Sequence, residues 1–520
     1  MRRPLRFVLV GSFFWLVVGL ACNLPVATPT PGGLSGQQLQ QTLDALPFSG
    51  TPLPAIPEKT PVAAVPTLNL LDQGTPLATP QGSDLIPPPG TVDYTTRPGD
   101  TLPALAGRFG VKPEQILSSL PIPAAGYLKP GQHLYIPGVT DPVTPPGLLL
   151  PDSELVYSPT AVDFDVTVFI QQAGGFLSTY TEVVYGETLS GAQIVQRVAD
   201  ELSVNPRLLL AFLEYRSRWV SGYPSPGESL GYPIGFEISG REGLYQELVI
   251  TATQLNMVYY GWRKGNYILI DFPEQVVRRL NPGLNAATAS LQNLLAIFYE
   301  ETDWYLRLYG EVNFMTFYAG MFGDPWPRDA RLGALLPVDL VQPPLELPFR
   351  PGETWRFSGG PHNTWNFGTP RGALDFSPLG GTGVCGISSL WVTASASGLV
   401  DRAAYNAVVL DLDGDGIEQT GWSLLYYHLA KEGMIATGTP VQVNDPLGHP
   451  SCEGGRATGA HVHVARKYNG EWLPADDSVP FALSGYQVVA GELNYQGTLV
   501  RDGSGIPANS YGSQTALVTR

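Results

Sequence analysis

Basic charge is scarce in this chain: 520 residues carry 30 Lys and Arg against 46 Asp and Glu, and charged residues of all kinds make up 15%. Neutralising phosphates needs a basic surface, and a formal balance of −16 does not supply one, so no nucleic-acid partner is expected. Histidine is scarcer still, six in all, with five of them after residue 360. Residues 161–340 contain neither histidine nor cysteine, which argues against a metal site there. What the chain does have is apolar material for real cores, 43% hydrophobic residues and ten tryptophans, and a length that implies three or four domains.

The first residues, MRRPLRFVLVGSFFWLVVGLAC, set Arg2, Arg3 and Arg6 before an apolar run from Phe7 to Leu20 that is short for a permanent span. The run ends at Ala21–Cys22. This resembles a bacterial lipoprotein signal, with Gly19 where that motif prefers Leu, and the resemblance implies acylation of Cys22 and a membrane partner through its lipid. An ordinary cleaved signal or an N-terminal anchor helix are the alternatives, and all three export the chain to the cell envelope. With Cys22 lipidated, Cys385 and Cys452 remain as an even pair in a compartment that permits disulfides; a bridge is expected, two free thiols being the alternative.

The expected order is a signal peptide over 1–22, a Pro/Thr-rich linker over 23–90, a small module over 91–138, a linker over 139–160, a helical domain over 161–340, a β-rich domain over 341–500 and a tail over 501–520. Overall this is a multidomain chain: a βααβ module, a mostly α-helical middle domain and a C-terminal antiparallel β-sheet domain.

In the small module, VDYTT alternates like a strand and PGDT forms a turn, with Asp100 placed to cap a helix. TLPALAGRFG and KPEQILSSL have helical periodicity, and KPGQHLYIP reads as a turn and closing strand. The opening Y-x-x-x-x-G-D-T-L and the closing P-G-Q-x-L-x-I-P resemble the LysM module across the whole unit. The resemblance implies binding of N-acetylglucosamine-containing glycans, chiefly peptidoglycan, through loop and backbone contacts near the two turns, with Gly99, Asp100, Thr101 and Leu102 as candidate contacts.

The middle region carries apolar residues at helical spacing in LSGAQIVQRVADEL, NPRLLLAFLEYRSRW, YQELVITATQLNMVYYGWRKG and ASLQNLLAIFYEETDWYLRLYG. Its first helix pair loosely resembles a lysozyme-type transglycosylase, but Arg216 stands before Ser217 where that family has its acid. Glu214, two residues earlier, is about 200° away around a helix and is no substitute. The region therefore reads as a helical spacer or wall-docking domain.

The C-terminal region reads as strands separated by Gly, Asn and Asp turns. His461 and His463 in GAHVHVARKYNG share one strand face; His362 and Asp375 lie in SGGPHNTWNFGTPRGALDFSP, and His428 in LLYYHL. Two imidazoles plus a carboxylate are a common zinc set with a fourth position left for water. The ordered segments GGPH, ALD, YYHL, CEGG and TGAHVH resemble the M23 zinc metallopeptidases, in their beta-lytic, staphylolytic branch. That resemblance implies one Zn²⁺ held by His362, Asp375 and His463, catalytic roles for His461 and His428, and hydrolysis of peptide bonds in peptidoglycan. Most M23 members place the first histidine four residues before the aspartate; Arg371 stands there, and the longer spacing of the beta-lytic branch restores the set. A silent M23-like scaffold that recruits another wall hydrolase is the alternative.

Outside these motifs, His449 and His133 read as loop and surface residues. Asp411, Asp413 and Asp415 suggest a calcium loop, but the twelfth position is Trp422 rather than a bidentate glutamate, so a polar hairpin turn is expected.

Overall fold

The computed structural model describes residues 87–380, 384–510 and 513–520. The expected signal peptide, Cys22 and the linker up to residue 86 lie outside the described residues. Among the described residues no helix is long and apolar enough to cross a membrane.

The small module pairs β1 (Thr91–Thr95) with β2 (His133–Pro137), antiparallel, and packs α1 (Leu102–Phe109) over them. Tyr94, Leu105, Phe109, Leu134 and Ile136 form its own core. Two expectations fail here. KPEQILSSL is not a full helix but a single 3₁₀ turn at Pro113–Gln115, because the chain then extends and Leu117 exchanges backbone bonds with Tyr135 beside β2. The cap of α1 is Thr101, whose hydroxyl accepts from the Ala104 amide; the Asp100 carboxylate is instead buried, bound by Tyr94, the Arg97 amide and Arg108.

The middle domain places α2 (Gly191–Leu202), α3 (Pro206–Ser217), α4 (Leu244–Lys264) and α5 (Ala286–Ala296) where the periodicity predicts them. Ser190 and Asn205 cap α2 and α3, and Gly265 ends α4 in the left-handed conformation that glycine adopts without steric penalty. Residues 139–160 are not all linker: Leu149 and Leu150 are buried in the helical core and Asp152–Leu155 is a helical turn of it.

The C-terminal domain is built on a nine-stranded antiparallel sheet. Its strands are β3 (Thr354–Asn363), β4 (Arg371–Pro378), β5 (Gly398–Ala404), β6 (Ala407–Asp411), β7 (Trp422–Tyr427), β8 (Pro440–Val441), β9 (Val462–Tyr468), β10 (Glu471–Trp472) and β11 (Leu517–Thr519). The order is β8-β5-β6-β7-β9-β4-β3-β11, with β10 on β9. Residues 501–520 are thus not a free tail, since Leu517–Thr519 pairs with β3 and completes the sheet edge.

Both faces of this sheet are covered. Leu374, Phe376, Leu424, Tyr426, Val462 and Val464 point into the domain's own core. Their alternates Ala373, Leu425, Tyr427 and Ala465 belong to the core of the helical domain. The contact is tight at Gly470, where an added Cβ would lie 1.9 Å from the Tyr157 carbonyl and the backbone has φ +77°. Ser203 also donates to the Gly470 carbonyl across this junction. Gly470→Ala is therefore expected to destabilise the two-domain unit by at least about 1 kcal/mol, measured as a lowered urea midpoint at unchanged slope.

Candidate metal centre

Three strands converge on one end of the helix-covered face. His463 on β9 stands directly opposite Asp375 on β4. Cross-strand partners on one face lie about 5 Å apart at Cβ, close enough to share a small ion. His362 comes from the end of β3, where the register with β4 shifts between Gly359, His362 and Asn363; such a bulge re-aims a side chain. The glycines of GGPH make room: a Cβ on Gly359 would lie 2.5 Å from Asp375 Oδ2, and one on Gly360 would lie 2.5 Å from the Gln496 backbone.

The donor atoms meet closely. His362 Nε2 is 3.0 Å from His463 Nδ1, and Asp375 Oδ1 is 3.3 Å from the first and 3.4 Å from the second. The other ring nitrogens pair with main-chain carbonyls, His362 Nδ1 with Gly360 at 2.9 Å and His463 Nε2 with Thr364 at 2.8 Å. A ring nitrogen facing a carbonyl carries the proton, so both inward nitrogens present lone pairs in the neutral rings. Two lone pairs and a buried carboxylate oxygen that lacks a hydrogen-bond donor repel one another unless a cation lies between them. Separations of 3.0–3.4 Å suit three donors about 2 Å from one zinc ion. Burial lowers the His463 pKa despite the opposing pull of Asp375, which keeps the ring in its ligating form. Burial raises the Asp375 pKa, but a proton on a neighbouring imidazole outweighs it and holds the carboxyl well below its usual range.

The structure brings His461 and His428 to the same place. His461 Nε2 lies 3.7 Å from Asp375 Oδ1, and the His428 and His461 rings are 4.6 Å apart. Each has Nδ1 on a carbonyl, His461 on Gly459 and His428 on Glu453, leaving Nε2 free. His428 follows β7 with φ +65°, a strained backbone for a non-glycine residue, stabilised by Ser451 amide and hydroxyl bonds to its carbonyl. Burial first, then the neighbouring imidazoles, push its pKa well below that of free histidine. The CEGG segment is what holds it: Cys452 is bridged to Cys385, and Glu453 receives the Lys431 amide and the Asn406 side chain.

Arg371 does not enter the site. Its guanidinium donates to the carbonyls of Pro361, Gly491 and Leu493 and so fixes the hairpin that carries Tyr495. Tyr495 stacks on His362 with ring centroids 4.2 Å apart, and burial together with Asp375 raises its hydroxyl pKa. Sequence reading missed Tyr495, which lies in no motif segment; the only signal is a lone aromatic in the polar turn ELNYQG.

The remaining candidates sit elsewhere. Gly99, Asp100 and Thr101 are buried and Leu102 half-buried; the turn faces the helical domain, not an open groove. Asp411, Asp413 and Asp415 cluster, but their oxygens accept the loop's own amides, as in a polar turn. Burial and the neighbouring Asp411 push the Asp413 pKa up to about 6. His449 packs on Trp391, and the exposed His133 pairs with Asp93. Glu214 is structural, accepting the Val220 and Ser221 amides, while Arg216 binds the Ile234 carbonyl and Tyr299.

Comparison with known proteins gives family matches to two of the three units. The LysM domain family matches residues 94–137, and the family described as LasA, N-terminal domain, matches residues 148–337. Protease LasA of Pseudomonas aeruginosa is 25% identical over 377 residues, 67% of this chain and 80% of that protein. The beta-lytic metalloendopeptidase of Achromobacter lyticus is 32% identical over 158 residues, and the chain spans only 39% of its length. The solved M23 metalloprotease pseudoalterin is 28% identical, covering 32% of this chain and 96% of that one, at a TM-score of 0.28. The beta-lytic metalloendopeptidase of Lysobacter enzymogenes is 31% identical over 158 residues, 29% of this chain and 82% of that protein. At that identity and coverage of the Lysobacter enzymogenes protein, the chain belongs to the beta-lytic metalloendopeptidase family.

Proposed function

We propose that this protein is an exported zinc metalloendopeptidase that hydrolyses peptide bonds in the stems or cross-bridges of peptidoglycan. Its LysM module would tether it to the wall, and a lipid at Cys22 to the membrane, in the cell envelope. The observation that carries the reading is the face-to-face approach of His362 Nε2, His463 Nδ1 and Asp375 Oδ1, which only a cation or a proton relieves. Zinc held there supplies a bound water whose pKa falls towards about 7 and a Lewis acid for the scissile carbonyl.

The protein's own residues do the rest. His461, nearest the carboxylate, accepts the proton of the attacking water at Nε2, since its Nδ1 is committed to the Gly459 carbonyl. His428, held neutral by burial beside it, orients the carbonyl oxygen that becomes negative. The Glu453 and Gly459 carbonyls fix both rings before substrate arrives, so no reorganisation is needed during reaction. Tethering to the polymer raises the effective substrate concentration at the groove.

Two sets of variants separate ligand from chemistry. Asp375→Asn and His463→Ala are expected to lose zinc altogether, read by metal analysis of the purified full chain; stoichiometric zinc in either removes that residue from the ligand set. His461→Ala and His428→Ala are expected to keep zinc while hydrolysis falls by on the order of a hundred-fold or more, read on purified peptidoglycan by mass spectrometry of released fragments. Zinc-free wild-type protein, or zinc-loaded protein that releases nothing from the wall, would point to the silent scaffold.

A further inference from the structure

The first turn of the LysM module, residues 98–101, is occupied by the protein itself. Arg263, near the C-terminus of α4, donates from Nη1 to the Pro98 carbonyl at 2.8 Å, and a Cβ on Gly99 would lie 2.0 Å from that same nitrogen. The second turn, residues 126–131, is tied to the first by the bond from the Leu128 amide to the Asp100 carbonyl and is open at Gly126 and Gly131. Tyr127 in it is half-buried. Along the same junction Arg97 donates to the Gly283 carbonyl, Arg108 to Trp262, and Arg279 to Arg108. The main chains nearly touch, since a Cβ on Gly107 would lie 2.2 Å from the Gly265 carbonyl. The void beside the first turn, between Arg97, Asp100, Arg108, Trp262 and Arg263, is about 10 Å³, no more than one water. A sugar ring does not fit there.

The character of this contact matters as much as its position. The module's apolar core is separate from that of the helical domain. Guanidinium-to-carbonyl bonds carry the junction, the polar composition of interfaces that open and close. The carbonyls and amides of these turns are also the backbone groups through which a LysM-like module would grip a glycan.

We propose that Arg263 and a glycan strand of N-acetylglucosamine type compete for the first turn, so that the docked module is closed to the wall and wall binding releases it. This rests on the glycan-binding reading of the module given above. A site open only a tenth of the time binds about ten-fold more weakly than its free form.

The test uses the full chain and three readouts. Arg263→Ala and Arg279→Ala are each expected to speed proteolysis in the exposed connecting segment 140–143 and to raise binding to purified peptidoglycan about ten-fold. A soluble N-acetylglucosamine oligomer is expected to speed the same cleavage in wild type. Arg279→Ala decides the matter if Arg263→Ala disturbs folding. Unchanged cleavage in both variants would show that these contacts are not the latch. Loosened variants that bind the wall no better than wild type overturn the competition while leaving the glycan reading intact. Loosened variants and wild type that all fail to bind overturn the glycan reading, and the competition with it.

Discussion

A sheet whose strands are apolar on both faces cannot stand alone, and that constraint organises this protein. β4, β7 and β9 send alternate residues into two separate cores, one inside the C-terminal domain and one shared with the helical domain. The metal-binding cluster lies on the second face, at the end the helices leave uncovered. The helical domain is therefore part of the scaffold that makes this face dry enough to hold His463 and Asp375 in register. Burial of that kind strengthens every electrostatic contact in the cluster and leaves the unpaired Asp375 oxygen with no water to satisfy it.

The support continues outward through a chain of contacts. The Thr364 carbonyl that orients His463 belongs to the loop joining β3 and β4. That loop rests on α4, where Asn366 donates to Thr253 and a Cβ on Gly368 would lie 2.8 Å from the Thr253 carbonyl. Trp365 packs on Tyr427, the β7 residue opposite His463. Outer contacts of this sort fix ring orientation and hence which nitrogen faces the metal. In this chain a helix of one domain sets the ring geometry of another through four residues of a loop.

Much of this was legible in the sequence, for physical reasons that differ by region. The helices α2 to α5 announced themselves by periodicity, and α3 also by its Asn205–Pro206 start; the Ser190 cap and the Gly265 terminus came from the structure. The site was legible through the resemblance carried by GGPH, ALD, YYHL, CEGG and TGAHVH, whose order in the chain implied the set that the structure brings together. The long-range partners were not. Nothing in ELNYQG says that Tyr495 will stack on His362, because that contact is made through Arg371 and the 491–493 carbonyls. KPEQILSSL carried helical spacing, yet pairing of Leu117 with Tyr135 won over propensity. Asp100 read as a cap but is drawn into a buried pair with Arg108, a partner eight residues away.

The two interdomain junctions obey opposite physics, and Arg263 sits where they meet. Towards the C-terminal domain it is paired with Glu471, beside Tyr259 and Asp152, inside a contact where the Tyr260 hydroxyl accepts from the Trp472 amide. Towards the LysM module it offers one nitrogen to one carbonyl. Opening the first junction would expose aromatic surface and a buried ion pair, a cost of several kcal/mol. Opening the second exchanges hydrogen bonds with the protein for hydrogen bonds with water, each net only about 1 kcal/mol. The same side chain thus belongs to a junction that must stay shut for the metal site to exist and to one that can open without disturbing it. The function proposed above calls for both: a rigid groove at one end, and a module free to take hold of the polymer at the other.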